Sequence, residues 1–203
     1  MNYLGSRTIE TDRLILKAGT MEEQRRLWEI LMIPEVNRYF LTVPTKFRDK
    51  LTDWTKQEVF YKETMKHAND NDVFRWSIFL KSTGECIGRI SCHEAKNDYD
   101  NVTNPNIRGV GWILDPKYHG LGYGTEAAKA MIDYMFYDCD IDKIITGAAI
   151  VNPASWRIME KLGFIRQENT KMVQYTFLDE PVEDYQYVMT KDRYLELNKR
   201  LKK

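Results

Sequence analysis

The spacing of apolar residues divides the chain into segments of different period. RTIETDRLILKAG alternates Ile9, Thr11, Arg13 and Ile15 against Thr8, Asp12, Leu14 and Leu16, which predicts a strand with a kink near Thr11. The period then changes. In TMEEQRRLWEILM, Leu27, Ile30 and Leu31 recur at helical spacing behind Thr20, a suitable N-cap, and the segment stops before Pro34. PEVNRYFLTVPTKF reads as a loop carrying aromatics, and a second helix is expected over roughly 48–68. VFRWSIFLK and ECIGRISCHEA have strand character and are joined by STG, as in a hairpin. KNDYDNVTNPN, rich in Asn and Asp, is a loop that ends near Pro105.

IRGVGWILD is another strand, followed by a helix over roughly 121–137. DKIITGAAIVN is a strand, PASWRIMEKLG a short helix, and FIRQEN and VEDYQYVMT the last strands. The tail KDRYLELNKRLKK places Leu195 and Leu201 too sparsely for an apolar stripe, so a solvated helix or frayed end is expected. The order is β, two helices, three β, then α, β, α, β, β. This is a mixed α/β pattern, neither a strict βα repeat nor an all-β sandwich.

Composition narrows the reading. A chain of 203 residues without a linker or repeat is expected to form one domain over 1–203. Lys plus Arg and Asp plus Glu both number 30, so net charge offers no steering towards nucleic acid or a membrane surface. With neither a membrane-length apolar run nor a signal-like N-terminus, a cytoplasmic location is expected. Cys86, Cys92 and Cys139 lack C-x-x-C spacing, and the first two fall on one face of a strand, too far apart to bond. Reduced cysteines and no metal are expected.

The stretch KYHGLGYGTEAAKA sets Gly120, Gly122 and Gly124 at alternate positions between a strand and a helix. A glycine turn at a helix N-terminus suits an anion, because the first amides of the helix are free and its dipole is positive there. The spacing G-x-G-x-G fits neither the dinucleotide fingerprint nor the phosphate loop of nucleotide triphosphatases. A loop that is tight merely to link strand and helix stays open on spacing alone.

Together, GWILDPKYHGLGYGTEA and NPASWRIMEKLGF resemble the GCN5-related N-acetyltransferase (GNAT) superfamily, and more closely its ribosomal-protein alanine acetyltransferase branch. The resemblance runs from TDRLIL to about Met189. It implies a mostly antiparallel twisted sheet of six to seven strands, a central parallel pair that splays apart, and helices on both faces. It also implies acetyl-CoA as cosubstrate. The loop motif maps onto His119, Gly120, Leu121, Gly122, Tyr123 and Gly124, with Thr125 after them, and its amides would hold the pyrophosphate. His119 stands where the family usually has Gln or Arg.

By the same resemblance, the edge of Trp112, Ile113 and Leu114 would pair with the pantetheine arm, with Gly109 and Gly111 permitting a bulge and close approach. Asn152 would hydrogen-bond the pantetheine, although as N-cap of a helix with Pro153 at its first position and Gly163 past its end it has a local reason too. Ser155 would protonate the departing thiolate; Tyr123, Tyr134, Tyr137, Tyr185 and Tyr187 are the alternative acids.

The implied reaction acetylates a primary amine, either a protein N-terminus or a small molecule. Such an amine, with a pKa of about 10.4 if lysine-like, needs a base. Glu94 is the first choice, with His93, Asp98 and Asp100 as alternatives; Glu94 and His93 point to opposite faces of a regular strand. Tyr39, Phe40 and Phe47 are candidates for an apolar acceptor wall. No Cys or Ser has a nucleophile setting, so direct transfer in a ternary complex is expected. A non-catalytic acyl-CoA sensor and a nucleotide-binding enzyme are the alternatives, and the protein is expected as monomer or homodimer.

Overall fold

The computed structural model describes residues 1–96 and 103–201. The N-terminal alternation forms two short strands, β1 (Ile9–Glu10) and β2 (Leu14–Lys17), rather than one kinked strand. Residues 11–13 reverse the chain, so that Ile9 pairs with Leu16 and Glu10 with Ile15. The Thr11 amide donates to the Leu14 carbonyl at 3.0 Å, and the Leu14 amide donates back to Thr11 Oγ1 at 2.9 Å.

α1 (Met21–Met32) starts at Thr20 with a capping box to Glu23 and buries Leu27, Ile30 and Leu31. A single turn, α2 (Pro34–Asn37), follows inside the segment read as loop. The helix expected over 48–68 is two, α3 (Arg48–Thr52) and α4 (Trp54–Met65). Asp53 is extended between them and its carboxylate accepts from the Thr55 amide, which starts a new helix.

β3 (Phe74–Leu80) and β4 (Cys86–Lys96) make the expected hairpin, with Gly84 at φ 72°. β4 carries an extra residue at Ile87, because Ile78 pairs with Gly88 while Phe79 pairs with Cys86. That bulge sends Cys86 into the cluster under α1 and leaves Cys92 in the other cluster, so the two thiols do not share a face. All three cysteines are free and buried.

β5 (Thr103–Leu114) begins inside the segment read as loop, with Pro105 within it. The proline is tolerated because β5 meets its second neighbour, β6 (Lys143–Ala149), only from Ile107 onward. α5 (Tyr123–Tyr137), α6 (Pro153–Lys161), β7 (Ile165–Val173), β8 (Val182–Thr190) and α7 (Lys191–Leu201) complete the chain. α7 packs through Tyr194, which is buried, stacks on Phe136 at 5.0 Å and donates its hydroxyl to Asp133 at 2.6 Å.

Among the described residues one sheet has the order β1-β2-β3-β4-β5-β6-β8-β7, and only β5 and β6 are parallel neighbours. Its eight strands exceed the expected six to seven because the first strand is split. One core, with Leu14, Trp76, Ile90, Met131, Phe136 and Tyr187, lies under α5. A smaller one, with Leu27, Ile30, Phe79 and Ile113, lies under α1. Each such side chain contributes about 1.5–3 kcal/mol on burial, and the two layers grip the sheet from both sides.

Candidate active site

β5 and β6 pair over three rungs, Ile107 with Lys143, Arg108 with Ile144 and Gly109 with Ile145. Beyond them the strands part. β5 stays bound to β4 as far as Leu114 opposite Gly88, and β6 stays bound to β8 as far as Ala149 opposite Asp184. Each strand is thus held by its outer neighbour while the inner edges separate, leaving backbone groups for an extended ligand. At the fork, Thr146 Oγ1 donates to the Val110 carbonyl at 3.1 Å. A cleft of about 1090 Å³ runs through the opening and reaches both faces of the sheet.

On the α5 face the glycine loop lies at the open end of the fork. Gly120 and Gly122 have φ of 74° and 84°, left-handed values that favour glycine. Gly124 is helical and serves packing instead, since a Cβ there would lie 3.0 Å from Ile158 Cδ1. Gly122 caps α5 without any side-chain hydrogen bond, so the first-turn amides of Tyr123, Gly124 and Thr125 have no helical acceptor. Gly120, Gly122, Gly124 and Thr125 line the cleft. Leu121 is exposed and Tyr123 packs edge-on to Tyr118, and neither lines the cleft. Free amides at the positive end of a 15-residue helix fit a pyrophosphate.

Arg13, which the sequence reading did not single out, braces this loop. Its Nη1 donates to the Leu121 carbonyl at 3.0 Å, its Nε donates to Glu126 Oε2 at 2.6 Å, and the guanidinium lies 4.4 Å from the Tyr123 ring centre. Glu126 also accepts from Thr11 Oγ1 at 2.5 Å and from the Arg13 amide at 3.0 Å. Burial pushes the Glu126 carboxyl up, but these donors outweigh it and hold the group below the usual glutamate value. No local sequence pattern announces a contact spanning 113 residues.

His119 has a definite partner: its Nε2 lies 2.9 Å from the Leu114 carbonyl, tying the loop back to the end of β5. Of Trp112, Ile113 and Leu114, all of which line the cleft, Leu114 therefore has its carbonyl engaged. Gly109 and Gly111 sit in regular register with β4, without the expected bulge. Asn152 stands at the N-cap position of α6, yet its carboxamide makes no capping bond and the residue lines the cleft beside Ser155.

On the opposite face, strand alternation brings Ser91 and His93, Gly109 and Gly111, Ile145 and Gly147, and Asp184 and Gln186 to the cleft. His93 lies across Gly109, where a Cβ would come within 2.3 Å of its Nε2. Desolvation by the sheet, helped by the Arg108 charge, lowers the His93 pKa and favours the neutral ring. Glu94 faces away from His93, opposite Arg108, and does not line the cleft. Asp98 and Asp100 lie outside the described residues.

Tyr39 and Phe40 line the cleft, whereas exposed Phe47 does not. Tyr123, Tyr134, Tyr137, Tyr185 and Tyr187 are also absent from the lining; Tyr134 donates to the Gly5 carbonyl and Tyr187 to Glu160. Burial pushes the Cys86 and Cys139 thiols up to about 11, which disfavours thiolates. Among the described residues no group of three or more His, Cys, Asp or Glu could hold a metal, and no helix is long and apolar enough to cross a membrane.

A sheet forked at a parallel pair, with uncapped helix amides at its open end, suits a ligand that carries a phosphate on an extended arm. The family model described as Acetyltransferase (GNAT) domain matches residues 13–165, and the chain belongs to this family. An uncharacterised N-acetyltransferase of Bacillus subtilis (strain 168) is 36% identical over 163 residues, covering 78% of this chain and 83% of that protein. The ribosomal-protein-S5-alanine acetyltransferase of Vibrio fischeri has a similar structure, with TM-score 0.71 at 15% identity over 93% of this chain and 99% of that one. Mutant forms of the spermidine/spermine N-acetyltransferase of Vibrio cholerae give TM-score 0.68 at 17% identity over 93% and 99% of the two chains. The protein is an acetyl-CoA-dependent acyltransferase of the GNAT fold.

Proposed function

We propose that the protein, acting as one domain, moves the acetyl group of acetyl-CoA to a primary amine by direct attack in a ternary complex. The observation that carries this reading is the cleft through the fork, which joins the free amides of α5 on one face to His93 on the other. The α5 amides hold the pyrophosphate, the inner edge at Trp112 and Ile113 pairs with the pantetheine arm, and Asn152 turns its uncapped carboxamide to it.

His93 takes the base role in place of Glu94, because it lines the cleft with a ring biased towards the neutral form. It removes the ammonium proton, the amine nitrogen bonds to the thioester carbonyl carbon, the C–S bond breaks, and Ser155 supplies a proton to the sulfur. The second nitrogen proton, released as the amide forms, restores the Ser155 hydroxyl, leaving the amide, free CoA and an imidazolium at His93. The buried, protonated thiols support transfer without an acyl-enzyme. The relatives whose names concern a ribosomal protein and spermidine support an amine acceptor of either kind.

The test is release of free CoA from acetyl-CoA with a panel of primary amines and N-terminal peptides, with both substrates varied. Intersecting initial-rate lines with a primary amine are expected. Tight acetyl-CoA binding without release on any amine would identify a sensor instead.

A further inference from the structure

Asp184 stands apart from the other charged groups of the acceptor side. It is 4% exposed and lines the cleft from β8. The Tyr175 hydroxyl donates to its Oδ2 at 2.6 Å, but its Oδ1 has no hydrogen-bond partner. A desolvated carboxylate oxygen without a donor is costly and calls for a role. Lys171, opposite Asp184 on β7, acts on it through charge without forming an ion pair. Tyr175 is itself fixed, edge-on to Tyr39 at 5.8 Å, so the carboxylate is held in place.

Its position fixes what it can receive. Asp184 pairs with Ala149, four residues beyond Ile145 at the last parallel rung, about 13 Å along β6. That separation excludes direct proton transfer from a nitrogen reacting at the fork, which needs about 2.6–3.2 Å. An ammonium group, by contrast, supplies both the donor and the charge that Oδ1 lacks.

We propose that Asp184 anchors a second cationic nitrogen of the acceptor, so that the cleft takes a small amine bearing at least two positive charges, one nitrogen at the fork and another on Oδ1. The proposal rests on the fork being the transfer site. Oδ1 is covered in this state, so admitting the ligand requires side chains to shift at that end of the cleft, where Lys171 and Met172 are exposed.

The test compares spermidine with butylamine as acceptors for the whole protein and for Asp184→Asn, which keeps the side chain's size and its acceptor for Tyr175. The variant should raise the KM for spermidine about tenfold or more, the loss of one charged hydrogen bond, while changing kcat less than about twofold. Its constants for butylamine and acetyl-CoA should not move. Tyr175→Phe, which loosens the carboxylate but keeps its charge, should raise the spermidine KM by a smaller factor and covers the case of a poorly folding Asn variant. Equal effects on both amines, or none on spermidine, would overturn the anchor, as would faster turnover of N-terminal peptides without a second cation. Calorimetric titration of CoA-loaded protein with spermidine reads the anchor separately. If wild type releases no CoA with any amine, the transfer reading fails, while Asp184-dependent spermidine heat still upholds the anchor and its absence overturns it.

Discussion

Arg13 and Glu126 join the start of β2 to the first turn of α5, with Nε and Nη2 both 2.6 Å from Oε2. The pair holds the glycine loop from outside the cleft, so its loss should loosen the amides before it unfolds the protein. Arg13→Gln is expected to weaken acetyl-CoA binding about three- to tenfold while lowering stability by about 1 kcal/mol or less, because Arg13 is substantially exposed and screened. Calorimetry for affinity and thermal melting for stability check the split; a large drop in melting temperature with unchanged affinity would contradict it.

Gly122 combines a left-handed φ of 84° with a close neighbour, since a Cβ there would lie 3.2 Å from Arg13 Nη2. Gly122→Val meets both obstacles, and the backbone strain alone costs about 1–2 kcal/mol. Acetyl-CoA affinity should fall at least about tenfold. Unchanged affinity by equilibrium titration would remove the loop from the cofactor cradle.

His93 and Ser155 flank the fork from opposite faces, so their replacement should affect turnover more than cofactor affinity. His93→Ala is expected to lower kcat about 100-fold or more, as does loss of a general base elsewhere. In wild type the acidic limb of the kcat/KM profile should fall below the ordinary imidazole value of about 6.5, because desolvation and Arg108 lower the His93 pKa. That limb should vanish in the variant. Ser155→Ala should reduce kcat about tenfold with little change in acetyl-CoA affinity, and an unaltered pH profile and rate would deny it the acid role.

Burial raises the Asp184 carboxyl above its ordinary value, against the opposing pull of Tyr175 and Lys171. The folded state therefore binds this proton more tightly than the unfolded chain. Its stabilising effect is present below the unfolded value of about 3.9 and is lost as pH rises through the higher folded value. Asp184→Asn lacks that loss. Near neutral pH the free variant should be as stable as wild type or more so, by up to about 1–2 kcal/mol, and the advantage should shrink on acidification. Melting curves from pH 4 to 8 decide; a variant less stable at neutral pH would show that Asp184 is held for the fold itself.

Much of the frame is local and was readable from the chain. The capped start of α1 at Thr20, the β3–β4 hairpin, and the strand, loop and helix around Gly120 and Gly122 follow from residues close in sequence. Asp53 shows where such reading stops: one capping carboxylate divides a periodic stretch into two helices. Thr11 shows it again, because apolar alternation does not distinguish a kink from a complete reversal.

The sequence by itself determined the mixed order of elements, the glycine positions that tolerate left-handed backbone, and the family motif that contains them, because each depends on neighbours along the chain. The tertiary structure decided the rest. Period-two alternation separates His93 from Glu94, but only the packing of helices onto each face selects His93 for the cleft. The β5–β6 fork, the Arg13 brace and the half-satisfied Asp184 all arise where distant segments meet, and their energies come from pairings and burial that no single stretch contains.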